Sequence, residues 1–511
     1  MLFNSFEFIF LFLPVTLLGF FFFAKTNRQL AAAWLAAASL FFYGFWNPPF
    51  VLLLLGSICF NYAMGHRISR DRPAIRSKRL LVFAVTANLV LLGIYKYANF
   101  FIVNLNALTD ANLALTNVVL PLGISFFTFT QIAFLSDAYR GSVRERNFGH
   151  YLLFVTYFPH LIAGPLLHHK EIMPQFEIAS VYRLNLENVQ LGLAIFVIGL
   201  AKKLLLADAF SDYANPVFSA AAKGEQLRLF EAWAGALSFT LQIYFDFSGY
   251  SDMAIGMSKM FGIDLPINFN SPYKAANFIE FWRRWHITLS RFLRDYLYIP
   301  LGGNRKGPVR RYVNLMLTML LGGLWHGANW TFVAWGGLHG VFLGINHAWR
   351  AISPRRSHEE PGRMLAILST TVTFVLVIIS WVFFRSDDMR SALALLQGMA
   401  LCNGLSVPKD MAEMFNDTPL AAFVVGNGLF ATTRLLASGF FPLVMLGLIV
   451  VFGCQNSQQL VIQTRERSRL RRVLGIQTRP LGARAGIGIA CLLALCLFSF
   501  SRGSEFLYFQ F

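Results

Sequence analysis

The sequence predicts an all-α polytopic membrane protein, and three observations carry that reading. Apolar residues make up 56% of its 511 residues, against about 45–50% in soluble domains. Charged residues fall to 14%, where about 25% is usual, and a soluble chain of this length could not cover its surface with so few. The apolar residues also come in runs of membrane length separated by short basic clusters, with a mean hydropathy of +0.53. A net charge of +18 would point to nucleic acid in a soluble chain. Here the basic residues sit between apolar runs, as the positive-inside rule requires, so lipid is the expected surrounding and no nucleic-acid partner is implied. The five cysteines form no CxxC pair and suggest neither a disulfide framework nor a zinc site.

A spanning helix needs about 20 mainly apolar residues, and such runs follow one another along the chain. Residues 8 to 24 form the first, with Lys25 and Arg28 directly after it. No basic segment precedes it, so it is expected to stay in place and not be cleaved as a signal. Runs at 30 to 46, 49 to 64, 80 to 101 and 117 to 136 come next. Arg67, Arg70, Arg72, Arg76, Lys78 and Arg79 crowd the connection after the third, and Arg140, Arg144 and Arg146 follow the fifth, whereas 102 to 116 has no Lys or Arg. That alternation places the N-terminus outside and the basic connections in the cytoplasm.

The apolar stretch 149 to 168 is interrupted by Pro159, His160, Gly164 and Pro165. Broken backbone at membrane depth must be surrounded by protein or line a cavity, so a re-entrant or buried element is expected. Residues 190 to 207 and 230 to 247 read as spans, with Lys202 and Lys203 required to snorkel or to face something polar. The stretch 264 to 311 is the most polar long connection and is expected to face the cytoplasm. Further spans fall near 313 to 327, 329 to 348, 364 to 384, 437 to 453 and 485 to 500. A basic cytoplasmic connection lies at 465 to 484 and a mixed external one at 385 to 436. With no internal repeat or linker, the reading is a single membrane-embedded domain over 1–511.

Chemistry is sought where polar residues persist in apolar sequence, because an ionisable group at membrane depth is costly. LTMLLGGLWHGANWTFVAWGGLHG, residues 317 to 340, holds His326 and His339 among six glycines, and predicts a narrow cavity lined by Trp325, His326, Asn329 and Trp330. FWRRWHITLSRFLRDY holds His286, with Arg284, Arg291 and Arg294 spaced to share a helical face. A neutral imidazole can take a proton from a hydroxyl, which suits attack of an alcohol on an activated acyl group. The alternative for each is a packed histidine bonded to a carbonyl, and His339, nearer a span middle without a polar neighbour, fits that best.

Asp246 and Asp252 in YFDFSGYSDMAIG are six residues apart and do not share a helix face, so a structural polar cluster or a substrate-path lining is preferred to catalysis. His160, His168 and His169 lack the nearby ligands of a zinc site. LGGNRKGP, residues 301 to 308, is not a phosphate-binding loop of the Walker type, and no G-x-S-x-G is present.

RRWHITLSRFLRDYLYIPLGGNRKG followed by NLMLTMLLGGLWHGANWTFVAWGGLHG resembles the signature region, 240–350, of the membrane-bound O-acyltransferases, in the bacterial branch of alginate and exopolysaccharide O-acetylation. LPLGISFFTF, FPHLIAGPLL, YFDFSGYSDMAIG, the opening MLFNSFEFIFLFLP and the closing FLYFQF resemble that branch too. The resemblance implies a bundle of about 11–12 transmembrane helices, with re-entrant and interfacial helices, around a central tunnel. It implies that His326 is the catalytic base and His286 the second polar residue of the site. Arg283, Arg284, Arg305 and Lys306 become candidate contacts for an anionic donor, with acetyl-CoA as acyl donor and no bound cofactor. It further implies a bacterial inner-membrane location with a periplasmic N-terminus, a separate periplasmic SGNH-type acetyltransferase, and a polysaccharide synthesis and export complex. Exopolysaccharide of the alginate or cellulose type is the expected acceptor polymer, with additional spans over 364–511 read as favouring it. Peptidoglycan or teichoic-acid acylation by the same chemistry, or a transporter without acyltransferase activity, are the alternatives.

Overall fold

The computed structural model describes the chain except residues 70–72, 144–146, 163, 353–361, 408–411, 415–417, 419–423, 427–438, 461–482, 501–505 and 508–511. Arg70, Arg72, Arg144, Arg146 and almost all of the basic run predicted at 465 to 484 therefore lie outside the described residues.

The protein is helical nearly throughout, as its apolar runs require, because a backbone in lipid must satisfy its own polar groups. In chain order the main helices are α1 (Glu7–Thr26), α2 (Arg28–Gly44), α3 (Pro49–Ile68), α4 (Ala74–Thr109), α5 (Ile124–Tyr139), α6 (Phe148–Thr156), α7 (Leu186–Ala222) and α8 (Leu229–Met260). They continue with α9 (Phe278–Arg284), α10 (Ile287–Leu293), α11 (Gly307–His326), α12 (Trp330–Ile352), α13 (Arg363–Arg385), α14 (Met389–Met399), α15 (Phe440–Gly453) and α16 (Ala483–Phe498). Among the described residues the one sheet is a parallel pair, β1 (Leu405–Val407) with β2 (Val424–Gly426). Among the described residues five helices, α1, α3, α4, α7 and α13, are long and apolar enough by themselves to cross a membrane. The chain is an all-α multi-pass membrane protein.

Two compact units are present, one built from the described residues of Met1–Ala201, Ser248–Asn268 and Ser457–Gln510, the other from those of Lys202–Phe247 and Phe269–Asn456. In the first, buried amides do the work that water cannot do in lipid. Asn61 donates to Asn88 Oδ1 at 3.1 Å and Asn88 returns the bond to Asn61 Oδ1 at 2.7 Å. Gln131 donates to Ser57 Oγ at 2.9 Å and Tyr151 to Gln131 Oε1 at 3.3 Å, so one polar ladder ties α3, α4, α5 and α6. The start of α7 meets the end of α8 at Gly192 and Gly256, where a Cβ on either would lie 2.5 Å from the other's carbonyl oxygen. Asp252 accepts from Ser457 Oγ at 2.6 Å and Gln458 Nε2 at 3.2 Å. It is an anchor, in keeping with a structural polar cluster.

The interrupted stretch 149 to 168 is α6, a single turn at Phe158–Leu161, and extended backbone after Gly164, with its side chains largely buried. Its histidines diverge: His160 Nε2 donates to Phe154 O at 2.8 Å, while His169 faces Asp137 at 3.4 Å.

In the second unit, the polar stretch 264 to 311 differs from the connection read from its sequence. It folds into α9, α10 and a π-helical turn at Arg294–Tyr298, with Trp282, Trp285, His286 and Leu289 buried. Its arginines disguise the other face, which is aromatic and aliphatic and packs inward. Lys203 does not snorkel. It lies in a π-helical turn, Lys202–Ala207, and its Nζ is 2.8 Å from both Asp208 Oδ1 and Asp246 Oδ1.

Candidate active site

The site is assembled by α9 to α13 of the second unit. His326 is the last residue of α11, and the extended Gly327 ends the helix immediately after it. The returning helix α12 then lies against α11 so closely that a Cβ on Gly323 would be 2.2 Å from Phe332 O, and one on Gly336 2.3 Å from Met319 O. These are backbone contacts that no side chain could relieve. Gly323→Ala is therefore expected to push the hairpin apart and cost about 1–3 kcal/mol of stability, whereas Gly337→Ala, with only Leu320 Cδ2 at 3.5 Å, should be tolerated. Comparing membrane accumulation and detergent melting of the two variants checks this.

That hairpin puts His326, 5% exposed, into an aromatic box. Trp325, Trp335 and Phe384 stand nearly perpendicular to its imidazole, with centroids at 4.9, 5.2 and 5.2 Å. His286 is fully buried at the junction of α9 and α10 in a left-handed conformation, φ 42° and ψ 53°. Such a conformation costs about 1–3 kcal/mol for a non-glycine residue and recurs at functional sites. The turn aims the ring at Phe247, 4.7 Å away and perpendicular, and brings it 6.4 Å from His326. At that spacing the nearest ring nitrogens are about 4 Å apart at best, beyond a direct hydrogen bond, and one oxygen could be served by both.

A cavity of about 540 Å³ lies among α9 to α12, and neither His326 nor His286 lines it. Its wall carries Arg283, Arg291, Arg294 and His347, together with Tyr298 and Asn304, and it runs inward to Trp282 and Met319. Met319 precedes His326 by about 10 Å of helix rise, and Trp282 packs on Trp335, 5.9 Å away, which itself packs on His326.

The structure thus joins His326, His286 and Trp325, and separates other residues of the expected set. Asn329 donates to Asp387 O at 2.6 Å and accepts from Thr331 N, capping the start of α12. Trp330 is 54% exposed. Arg284 is held by Glu280 through bonds of 3.0 and 2.7 Å, and points another donor at Asn270 O. Arg305 and Lys306 are exposed in the loop before α11 and do not line the cavity. Arg291, Arg294 and His347 do line it. Helical spacing had grouped the first two with Arg284, but nothing in the sequence links them to His347, which reaches the same wall from α12. Among the described residues no group of three or more His, Cys, Asp or Glu side chains could hold a metal ion.

Fold and site together define a multi-pass membrane protein with two neighbouring histidines buried in its helix bundle. The chain belongs to the membrane-bound O-acyltransferase (MBOAT) family, whose model matches residues 136–385. It is 42% identical to a peptidoglycan O-acetyltransferase of Helicobacter pylori over 542 residues, covering 100% of this chain and 98% of that one. It is also 42% identical to a Pseudomonas aeruginosa protein named "Probable alginate O-acetylase" over 405 residues, 78% of this chain and 75% of the other. A teichoic acid D-alanyltransferase of Bacillus subtilis is 26% identical over 282 residues, 54% of this chain and 71% of that one. The protein is an O-acyltransferase.

Proposed function

We propose that the protein takes an acetyl group from a cytoplasmic thioester, acetyl-CoA, and passes it across the bacterial inner membrane for O-acetylation of a periplasmic glycan, with His326 as general base. The observation that carries this is the aromatic box around His326, with an arginine-walled cavity that reaches α11 at Met319, two helical turns before it. Arg283 and Arg291 suit the phosphates of the donor, whereas Arg294 is held by Asp295 through bonds of 2.7 and 3.1 Å. The cavity ends at Met319, so the thin thioester arm, and not the charged nucleotide, would cover the last stretch to His326. A hydroxyl oxygen attacks the thioester carbonyl while His326 Nε2 or Nδ1 takes its proton. The C–S bond breaks, the proton passes to the departing thiolate, and an ester and free CoA result. His286, held 6.4 Å from His326, serves as a second hydrogen-bonding partner for the same oxygen.

The immediate acceptor in this reading is a periplasmic SGNH-type acetyltransferase, which hands the acetyl group to the polymer, and the N-terminus lies in the periplasm. For the polymer, the match along the whole chain favours peptidoglycan, because it includes the C-terminal spans that the sequence reading assigned to the exopolysaccharide branch. Exopolysaccharide of the alginate or cellulose type is the second reading, supported by alginate O-acetylases 40–42% identical over 77–78% of the chain.

Native membranes containing the full chain, supplied with labelled acetyl-CoA, test this. Alkali-labile acetyl label in muramidase-released fragments is the expected result. Label found only in extracellular polysaccharide selects the second reading. Label that stays on CoA in the presence of both polymers overturns the donor assignment.

A further inference from the structure

His339 is fully buried, and both of its ring nitrogens are engaged by side chains distant in sequence. Trp282 Nε1 donates to His339 Nδ1 at 3.2 Å. An indole N–H can only donate, so Nδ1 must accept, and the ring carries its proton on Nε2. Nε2 is 3.0 Å from Ser380 Oγ and donates to it, and Ser380 Oγ in turn donates to Val377 O at 2.8 Å. The chain runs in one direction from an obligate donor to an obligate acceptor. Every group in it is satisfied, and a second proton on the imidazole would set one N–H against another. His339 has no nitrogen left for proton transfer with a substrate.

The chain lies directly behind the aromatic box. It joins α9 through Trp282, α12 through His339 and α13 through Ser380. Those helices also supply Trp335, one turn before His339 with ring centroids 4.7 Å apart, and Trp381 and Phe384, at 5.7 and 5.2 Å from Trp335. Trp335 therefore has His339 on one side and His326 on another. We infer that the Trp282–His339–Ser380 chain is a positioning device for acyl transfer: it fixes Trp335 and Phe384, and through them the orientation of the His326 ring. The inference rests on His326 being the base.

The smallest probe is Ser380→Ala, because it deletes one acceptor without opening a large hole, whereas His339→Ala would leave several polar groups stranded and could fail to fold. Initial rates of acetyl transfer from labelled acetyl-CoA, measured in native membranes with the full chain, should show kcat lowered about fivefold to tenfold, the size expected for one neutral hydrogen bond. KM for acetyl-CoA and the amount of protein in the membrane should stay unchanged, and Ser380→Thr should recover most of kcat. Trp282→Phe removes the donor at the other end. Because the three groups act as one unit, the Trp282→Phe/Ser380→Ala pair should lose little more than the worse single variant, and multiplied losses would mean independent packing roles. Wild-type kcat in Ser380→Ala, or an effect confined to protein level or melting, overturns the positioning role if His326→Ala is inactive. Wild-type transfer by His326→Ala would instead remove the reading on which it stands.

Discussion

His326→Ala is expected to lower acetyl transfer by at least about 10²–10⁴-fold, the range that a positioned general base contributes, while the protein still inserts and accumulates. The expectation comes from what surrounds the ring. Three aromatic rings within 5.2 Å hold the imidazole, and the other two buried histidines of the site are placed differently. His286 is 6.4 Å away across the site and belongs to a different helix junction, and both nitrogens of His339 are committed to Trp282 and Ser380. The variant should retain its fold, because Trp335 remains packed on Phe384 and Gly323 and Gly336 still seat α11 on α12. Measuring labelled acetyl transfer together with membrane-integrated protein separates the two effects. Acetylation at the wild-type rate by a correctly inserted variant would take His326 out of the mechanism.

How much of this could be read from the sequence depended on the range of the interactions involved. The apolar runs located nearly every main helix, since twenty apolar residues have few other uses, and the two tryptophan–histidine motifs marked the residues that the fold brings together. The reading weakened wherever a side chain's role depended on a distant partner. Arg284, Arg291 and Arg294 looked equivalent on a helical face, but Glu280 binds Arg284 and Asp295 binds Arg294, and the left-handed turn at His286 ends the helix on which that face was drawn. The stretch 278 to 298 looked like a polar connection because its four arginines interrupt every apolar run, and its buried side appears only once α12 is placed against it. His339 looked isolated, as the 57 positions to Trp282 and 41 to Ser380 leave no local trace. The same holds for Lys203, which sequence could only mark as a lysine that must find something polar.

Lys203→Met is expected to be among the most destabilising single changes in the second unit. Lys203 Nζ lies between two carboxylates at 2.8 Å each, and all three side chains are buried, with exposures of 3%, 7% and 1% for Lys203, Asp208 and Asp246. With both carboxylates ionised the trio already carries one net negative charge, so it cannot tolerate loss of its single cation. Removing one partner of a buried ion pair costs about 3–5 kcal/mol, because the charge left behind is uncompensated. Here two would be left, inside a segment where lipid and aromatic rings replace water. The expected result is a sharp fall in membrane-integrated protein and in its melting temperature in detergent. Replacing the whole trio, Lys203→Met with Asp208→Asn and Asp246→Asn, should recover most of the loss, since swapping a complete buried ionic cluster for neutral groups is often close to neutral in energy. Each double variant, retaining one carboxylate, should fall between the two. If Lys203→Met alone accumulates and melts like the wild type, the lysine is not the counter-charge that holds Asp208 and Asp246 in the bundle, and the π-helical turn that aims it there has another purpose.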